Sequence, residues 1–197
     1  MSPHTPAVLD RFIPRPDAGG RHEITIKAPA DLVLHVARNF DIESVRMVRG
    51  IFWLRAKLLG ANLPAEHPPQ GLVASMTAMG WACLADRPGR YYIGGAACQP
   101  WLADVIFSPI PAEEFVDYTE PDQVKIAWTL EAESLGPALT RFSTETRVVA
   151  TDDQARARFR LYWRKFGIGI VMIRRLLLPV IRRLAEQQYH ALLNACA

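Results

Sequence analysis

Residues 151–197 carry one apolar stripe along a strongly basic helix, and they follow directly on a run of strand-like segments. A helix with one long apolar face must bury it, and a bent antiparallel sheet is the surface that the preceding segments offer. At ~100° per residue from Phe159, the side chains of Trp163, Phe166, Ile170, Ile173, Leu177, Ile181, Leu184, Gln188 and Ala191 fall within roughly 40° of one line. That line is the expected buried face. Arg160, Arg164, Lys165, Arg175, Arg182 and Arg183 fall on the other side, where their stems cover apolar surface and their heads stay in water. Thr151 is the expected N-cap, with Asp152 and Asp153 set against the positive end of the helix dipole. Unbroken, residues 152–194 would extend on the order of 60 Å at ~1.5 Å per residue, which exceeds a domain of this size. A kink is therefore expected at Gly167, Gly169 or Pro179.

A chain of 197 residues, 50% hydrophobic and 22% charged, has enough apolar material for one sizeable core. One domain is expected over residues 1–197, with residues 1–20 as an N-terminal arm. Cys83, Cys98 and Cys196 are odd in number and lack metal-ligand spacing, which suits unpaired thiols in a reducing compartment, so the expected location is the cytoplasm. The chain begins Met1, Ser2, Pro3, His4, with neither the basic start nor the apolar core of a signal peptide. Its longest apolar run, residues 166–173, is ended by Arg174 and Arg175 well short of the ~20 residues that span a bilayer. The net charge of +3 conceals an asymmetry, because residues 152–197 hold nine basic groups against three acidic ones. A solvated outer helix face is the ordinary explanation; an anionic membrane or acidic partner ranks next. Nucleic acid is not expected, since no binding motif is present and the arginines are not interleaved with aromatics.

Earlier in the chain, Pro3, Pro6, Pro14 and Pro16 surround the short apolar stretch 8–13, which should pack by Leu9 and Phe12. Residues 22–27 alternate, with Ile24 and Ile26 on one face, and read as a first strand. A helix is expected over 31–38 and a second over 42–59, the latter with Val45, Val48, Phe52 and Leu59 inward; 60–71 is a Pro-rich loop. Residues 72–84 and 90–98 read as strands joined at Pro88-Gly89 into a hairpin. Residues 124–131 and 142–149 alternate as two more strands, connected through Gly136-Pro137. Gly94 and Gly95 permit a bulge or a close approach within their strand. The expected fold class is α+β: a curved antiparallel sheet gripping a long C-terminal helix.

Several segments then carry a resemblance. Asp10-Arg11-Phe12-Ile13-Pro14, Arg21-His22, Ala28-Pro29-Ala30, Ser143-Thr144-Glu145-Thr146-Arg147-Val148 and Phe159-Arg160-Leu161-Tyr162-Trp163 occur in this order. Together they resemble an uncharacterised bacterial group within the START/polyketide-cyclase/Bet v 1-like (SRPBCC) superfamily. The resemblance covers most of the chain and implies the helix-grip fold, with a ligand cavity between sheet and helix. It does not choose among the carriers, aromatase/cyclases, hydrolase subunits and stress proteins of that superfamily.

The expected walls of such a cavity are Trp81, Tyr92, Trp128, Phe142, Phe159, Trp163, Phe166, Ile170 and Ile173, which would otherwise simply fill the core. The expected ligand is an apolar or aromatic small molecule. Catalytic motifs are lacking: there is no nucleophile elbow, P-loop, dinucleotide fingerprint or zinc spacing, and His4, His22, His35, His67 and His190 are scattered. No metal or other cofactor is expected. A cyclase or dehydratase would need a buried acid or base, for which Glu145, Asp104 and Tyr92 are the candidates. Glu145 and Arg147 share one face of their strand, either lining the cavity or paired on its far side. Trp101 is placed to guard a cavity mouth or to anchor the following loop. Ile168, Val171 and Met172 lie opposite the buried stripe and need cover, by the same chain first, a second subunit in a homodimer next, and lipid last.

Overall fold

The alternating segments pair as their patterns require. In the computed structural model, which describes residues 8–41, 46–60 and 71–195, five strands form an open, curved antiparallel sheet. They are β1 (Ala18–Ile26), β2 (Ala82–Arg87), β3 (Tyr91–Cys98), β4 (Val124–Gly136) and β5 (Leu139–Ala150), in the spatial order β1-β5-β4-β3-β2. Three helices, α1 (Ala30–Arg38), α2 (Arg46–Leu59) and α3 (Leu72–Ala78), lie between β1 and β2 in the chain, and α4 (Asp153–Ala195) closes it. The fold is α+β, with α4 laid along one face of the sheet against β1 and β5.

Both faces of the sheet are covered. On the face away from α4, Ile93, Ala97 and Ala127 are sealed by Leu9, Phe12 and Ile13 of the N-terminal segment and by Ile110 and Phe115. Leu9 and Phe12 thus pack as the sequence predicts, although residues 18–20 belong to β1 and not to the arm. Lys125 crosses this face buried, donating to the backbone carbonyls of Phe115 at 3.1 Å and Val116 at 2.8 Å. Burial lowers the pKa of its ammonium from the ordinary lysine range. On the inner face the two ends are sealed separately. Ala155, Phe159 and Tyr162 of α4 close over Cys98, Val124, Val148 and Ala150. Leu178, Ile181 and Ala185 close with α1 over Ile26, Leu130 and Phe142.

Four sequence expectations change. Residues 72–78 are helix, not strand: Leu72, Val73 and Met76 recur at helical spacing and pack on the inner core, so the β-hairpin begins only at Ala82. The helix cap is Asp152, whose carboxylate accepts from the Ala155 backbone N–H at 2.7 Å, while the Thr151 hydroxyl donates to the Gln123 carbonyl. α4 runs 43 residues without interruption, about 65 Å at ~1.5 Å per residue. Pro179 stands on the exposed side of the helix, and Gly167 leaves room for the Trp163 ring. The buried stripe drifts: Arg164 is exposed and Ile181 buried as expected, but Trp163 is only half-buried, Leu178 and Ala185 are buried beside Ile181, and Leu184, Gln188 and Ala191 are exposed. The cause is α1, which covers the second half of α4 from a different side than the sheet covers the first. Val45 and the loop at 61–70 lie outside the described residues, as do the side chains of Val48 and Phe52.

The cap gives a first prediction. Backbone donation from Asp122 and Ala155 holds the Asp152 carboxyl below its usual 3.8. A carboxylate depressed in the folded state stabilises above its unfolded pKa, and that contribution is lost as pH falls through the folded value. Asp152→Ala therefore lowers the melting temperature at neutral pH, and the gap to wild type closes in strong acid. A gap of constant size across that range would show that the carboxylate charge has no part in the cap.

Candidate functional site

Residues directly opposite in an antiparallel ladder share a face, so the inner face reads as rows across the sheet. One row is Gly20, Thr146, Trp128 and Gly94; a second is Ala18, Val148, Ile126 and Ala96. On the other side of the first row, His22 stands opposite Thr144 and Tyr92 opposite Leu130. Beneath the middle of α4, the β1–β5 half of this surface is low and polar, made of Gly20, His22, Thr144 and Thr146. The β4–β3 half is high and aromatic.

Burial follows the same division. Residues 155–162 and 178–185 of α4 are sealed on the core clusters, yet between them Thr144, Thr146 and Ile126 of the sheet and Phe166 and Ile173 of the helix remain half-buried. Here small side chains on the floor and large ones on the helix are not fully covered, between the two core clusters. Beside them stands an aromatic group: Trp81 and Trp128 are edge to face at 6.4 Å, Tyr92 lies 5.5 Å from Trp128, and Phe107 lies 4.9 Å from Trp81. The Trp128 ring lies so close over Gly94 that a Cβ there would stand 2.6 Å from its Nε1. The indole N–H groups of Trp81 and Trp128 are buried without a hydrogen-bond acceptor among the described residues. Buried donors are ordinarily satisfied, so two orphaned ones in one aromatic group stand out.

The structure distributes the expected site residues among distinct places. Trp81, Tyr92, Trp128 and Phe142 belong to the cluster that α1 and the end of α4 seal; Phe159, Trp163 and Phe166 belong to the other. Ile173 lies half-buried between them, and the side chain of Ile170 is outside the described residues. The three acid–base candidates separate completely. Asp104 is exposed in the loop between β3 and β4. Glu145 points to the outer face, because its row alternates with Thr144 and Thr146; there it accepts from Arg147 Nε at 2.7 Å and lies 3.7 Å from Arg21. Arg147 also donates to Asp10 at 2.6 Å and to the Ile13 carbonyl at 2.8 Å, so this cluster ties the N-terminal segment to the sheet. An open concavity of about 310 Å³ lies beside it, lined by Asp10, Pro14, Pro16, Gly19, Glu145 and Arg147.

Tyr92 alone of the three faces inward. Burial is the largest influence on its phenol and raises the pKa above the usual 10.0, with the nearby Cys83 thiol acting in the same direction. It therefore stays protonated at neutral pH. The Arg38 guanidinium lies 5.1 Å over its ring and is itself held in a paired hydrogen bond to Asp86, both contacts at 2.8 Å. Trp101 packs on the cluster at the start of α4 and so anchors its loop.

No family model matches the chain, and no curated protein matches it. Solved structures with a related arrangement include a structural-genomics target from Deinococcus radiodurans, 14% identical, with a TM-score of 0.31 over 77% of this chain and 99% of that one. Another is the Zhui aromatase/cyclase of a Streptomyces species, 15% identical, with a TM-score of 0.30 over 87% of this chain and 94% of that one. At these values the likeness assigns no activity. The observed sheet order, with a long terminal helix across one face, is the α+β helix-grip arrangement expected from the sequence.

Proposed function

We propose that the protein binds an apolar or aromatic small molecule in the gap beneath the middle of α4. One observation carries this reading: the low, polar floor of Gly20, Thr144 and Thr146 stays half-open between two sealed stretches of the same helix, beside an aromatic group. A ring or short chain beside Trp128 would gain apolar contact, and the Thr144 and Thr146 hydroxyls could meet a polar edge on it. Such a ligand carries one polar edge on an apolar body.

Anilinonaphthalene sulfonate fluorescence tests the site. Wild type takes up the dye with a single saturable affinity, Thr146→Phe fills the floor and weakens uptake at least about tenfold, and Thr146→Ser retains it. Circular dichroism confirms that each variant is folded. Absence of uptake by wild type would sink the proposal. So would uptake that Thr146→Phe leaves unchanged and Ile168→Glu removes, because the dye would then sit on the outer surface of α4.

A further inference from the structure

α2 and residues 154–185 of α4 hold thirteen Lys and Arg and not one Asp or Glu, while the rest of the chain holds ten basic and twenty acidic residues. These two helices touch. Arg160, Arg164, Lys165 and Arg175 are exposed and have no ion-pair partner among the described residues. Solvated helix faces ordinarily mix both signs at i, i+4 spacing, which relieves repulsion; the stretch of α4 from 159 to 181 has no acidic residue to do so.

Apolar groups stand among the charges. Ile168 is 75% exposed and Met172 48%, so the described residues do not supply the intrachain cover ranked first from sequence. A groove of about 410 Å³ runs along this face, with Trp163, Gly167 and Val171 beside Ile168 and Met172 and with Arg164 and Arg175 at its sides. It is shaped by Gly167, since a Cβ there would stand 2.9 Å from the Trp163 ring, which instead folds onto the helix backbone. The neighbouring α2 likewise exposes Trp53, at 49%, with Leu54 and Leu58, and its Lys57 ammonium lies 5.0 Å over the Trp53 ring.

We propose that this helix pair docks on the surface of an anionic lipid bilayer. Exposed Leu, Ile, Met and Trp flanked by Lys and Arg is the composition of an interfacial helix, with Trp at headgroup depth and apolar side chains just beneath. A second copy of the chain fits less well, because a symmetric interface would set the same positive surface against itself. No helix among the described residues is long and apolar enough to cross a membrane, so the contact is peripheral. This inference does not depend on the ligand gap, which lies on the other side of α4.

Flotation with phosphatidylcholine vesicles, with and without one third phosphatidylglycerol, decides it. Wild type floats with the anionic vesicles, remains behind with pure phosphatidylcholine, and is released by high salt. Ile168→Glu with Met172→Glu, and separately Arg164→Glu with Lys165→Glu, each weaken binding at least about tenfold, since each basic group near an anionic surface is worth roughly a factor of five. Their melting temperatures stay at the wild-type value because all four side chains are exposed. Wild type that ignores anionic vesicles, or binding that survives both double variants, overturns the proposal. Sedimentation that shows a dimer dissociated by Ile168→Glu, without flotation, assigns the face to a second copy and overturns it equally.

Discussion

Phe142→Ala lowers the free energy of unfolding by about 3–5 kcal/mol, the range for removing a fully buried large aromatic. Phe142 is completely excluded from solvent and stands where four elements converge. Ile24 of β1 and Ala132 of β4 flank it across the ladders, and it belongs to the cluster that α1 and the end of α4 complete. A site surrounded by a sheet and two helices has little freedom to collapse, which places the loss toward the upper part of the range. Phe166→Ala is the control: its side chain is only half-buried, so the loss is smaller by a factor of about two. Urea unfolding of the two variants measures both. Equal losses would show that the middle of α4 is packed as tightly as its end, and that no gap separates the two clusters.

The sequence reading was most accurate where a period was long and clean. Val124, Ile126, Trp128 and Leu130 alternate without a fault, and Phe142, Thr144, Thr146 and Val148 mark the inner row of the adjoining strand; both rows face as the alternation demands. The existence of the terminal helix and the first half of its buried stripe were equally legible, because both lie in local sequence. Errors arose where a tertiary partner decides. Residues 72–78 are apolar enough for a strand, and only their packing against the inner core makes them a helix. The drift of the α4 stripe depends on α1, more than a hundred residues earlier, and no local spacing announces it. The candidate site was half legible. Aromatic residues were visible as walls, but an aromatic that seals a core and one that borders a gap look the same in sequence. The floor residues Thr144, Thr146, Gly20 and His22 were missed as site residues because each is ordinary by itself. Their signal is their register, since they become neighbours only when β1 pairs with β5. Glu145 was left with two alternatives, and its one-residue offset from Thr144 and Thr146 selects the pair with Arg147 on the far face over the acid–base role in a cavity.

Gly94→Val displaces Trp128 and, with it, the aromatic wall of the gap. The Cβ alone would meet Trp128 Nε1 at 2.6 Å and its Cε2 at 2.8 Å, and the two further methyl groups of valine would enter the same ring. Neither neighbour yields readily, because Gly94 is paired on both sides, with Cys83 of β2 and Trp128 of β4, and Trp128 packs in turn against Trp81 and Tyr92. Overpacking of this kind costs about 1–3 kcal/mol and here exceeds the middle of that range, since an indole must leave a buried position. Anilinonaphthalene sulfonate uptake falls at least about tenfold, because the surface on which the dye stacks has moved. A double-mutant cycle isolates the cause. Leucine at position 128 removes the overlapping ring, so Gly94→Val costs far less in the Trp128→Leu background than in wild type, and the two substitutions are strongly non-additive. Equal cost in both backgrounds would show that glycine is required at this position for the backbone of β3, and that the close approach of Trp128 is incidental.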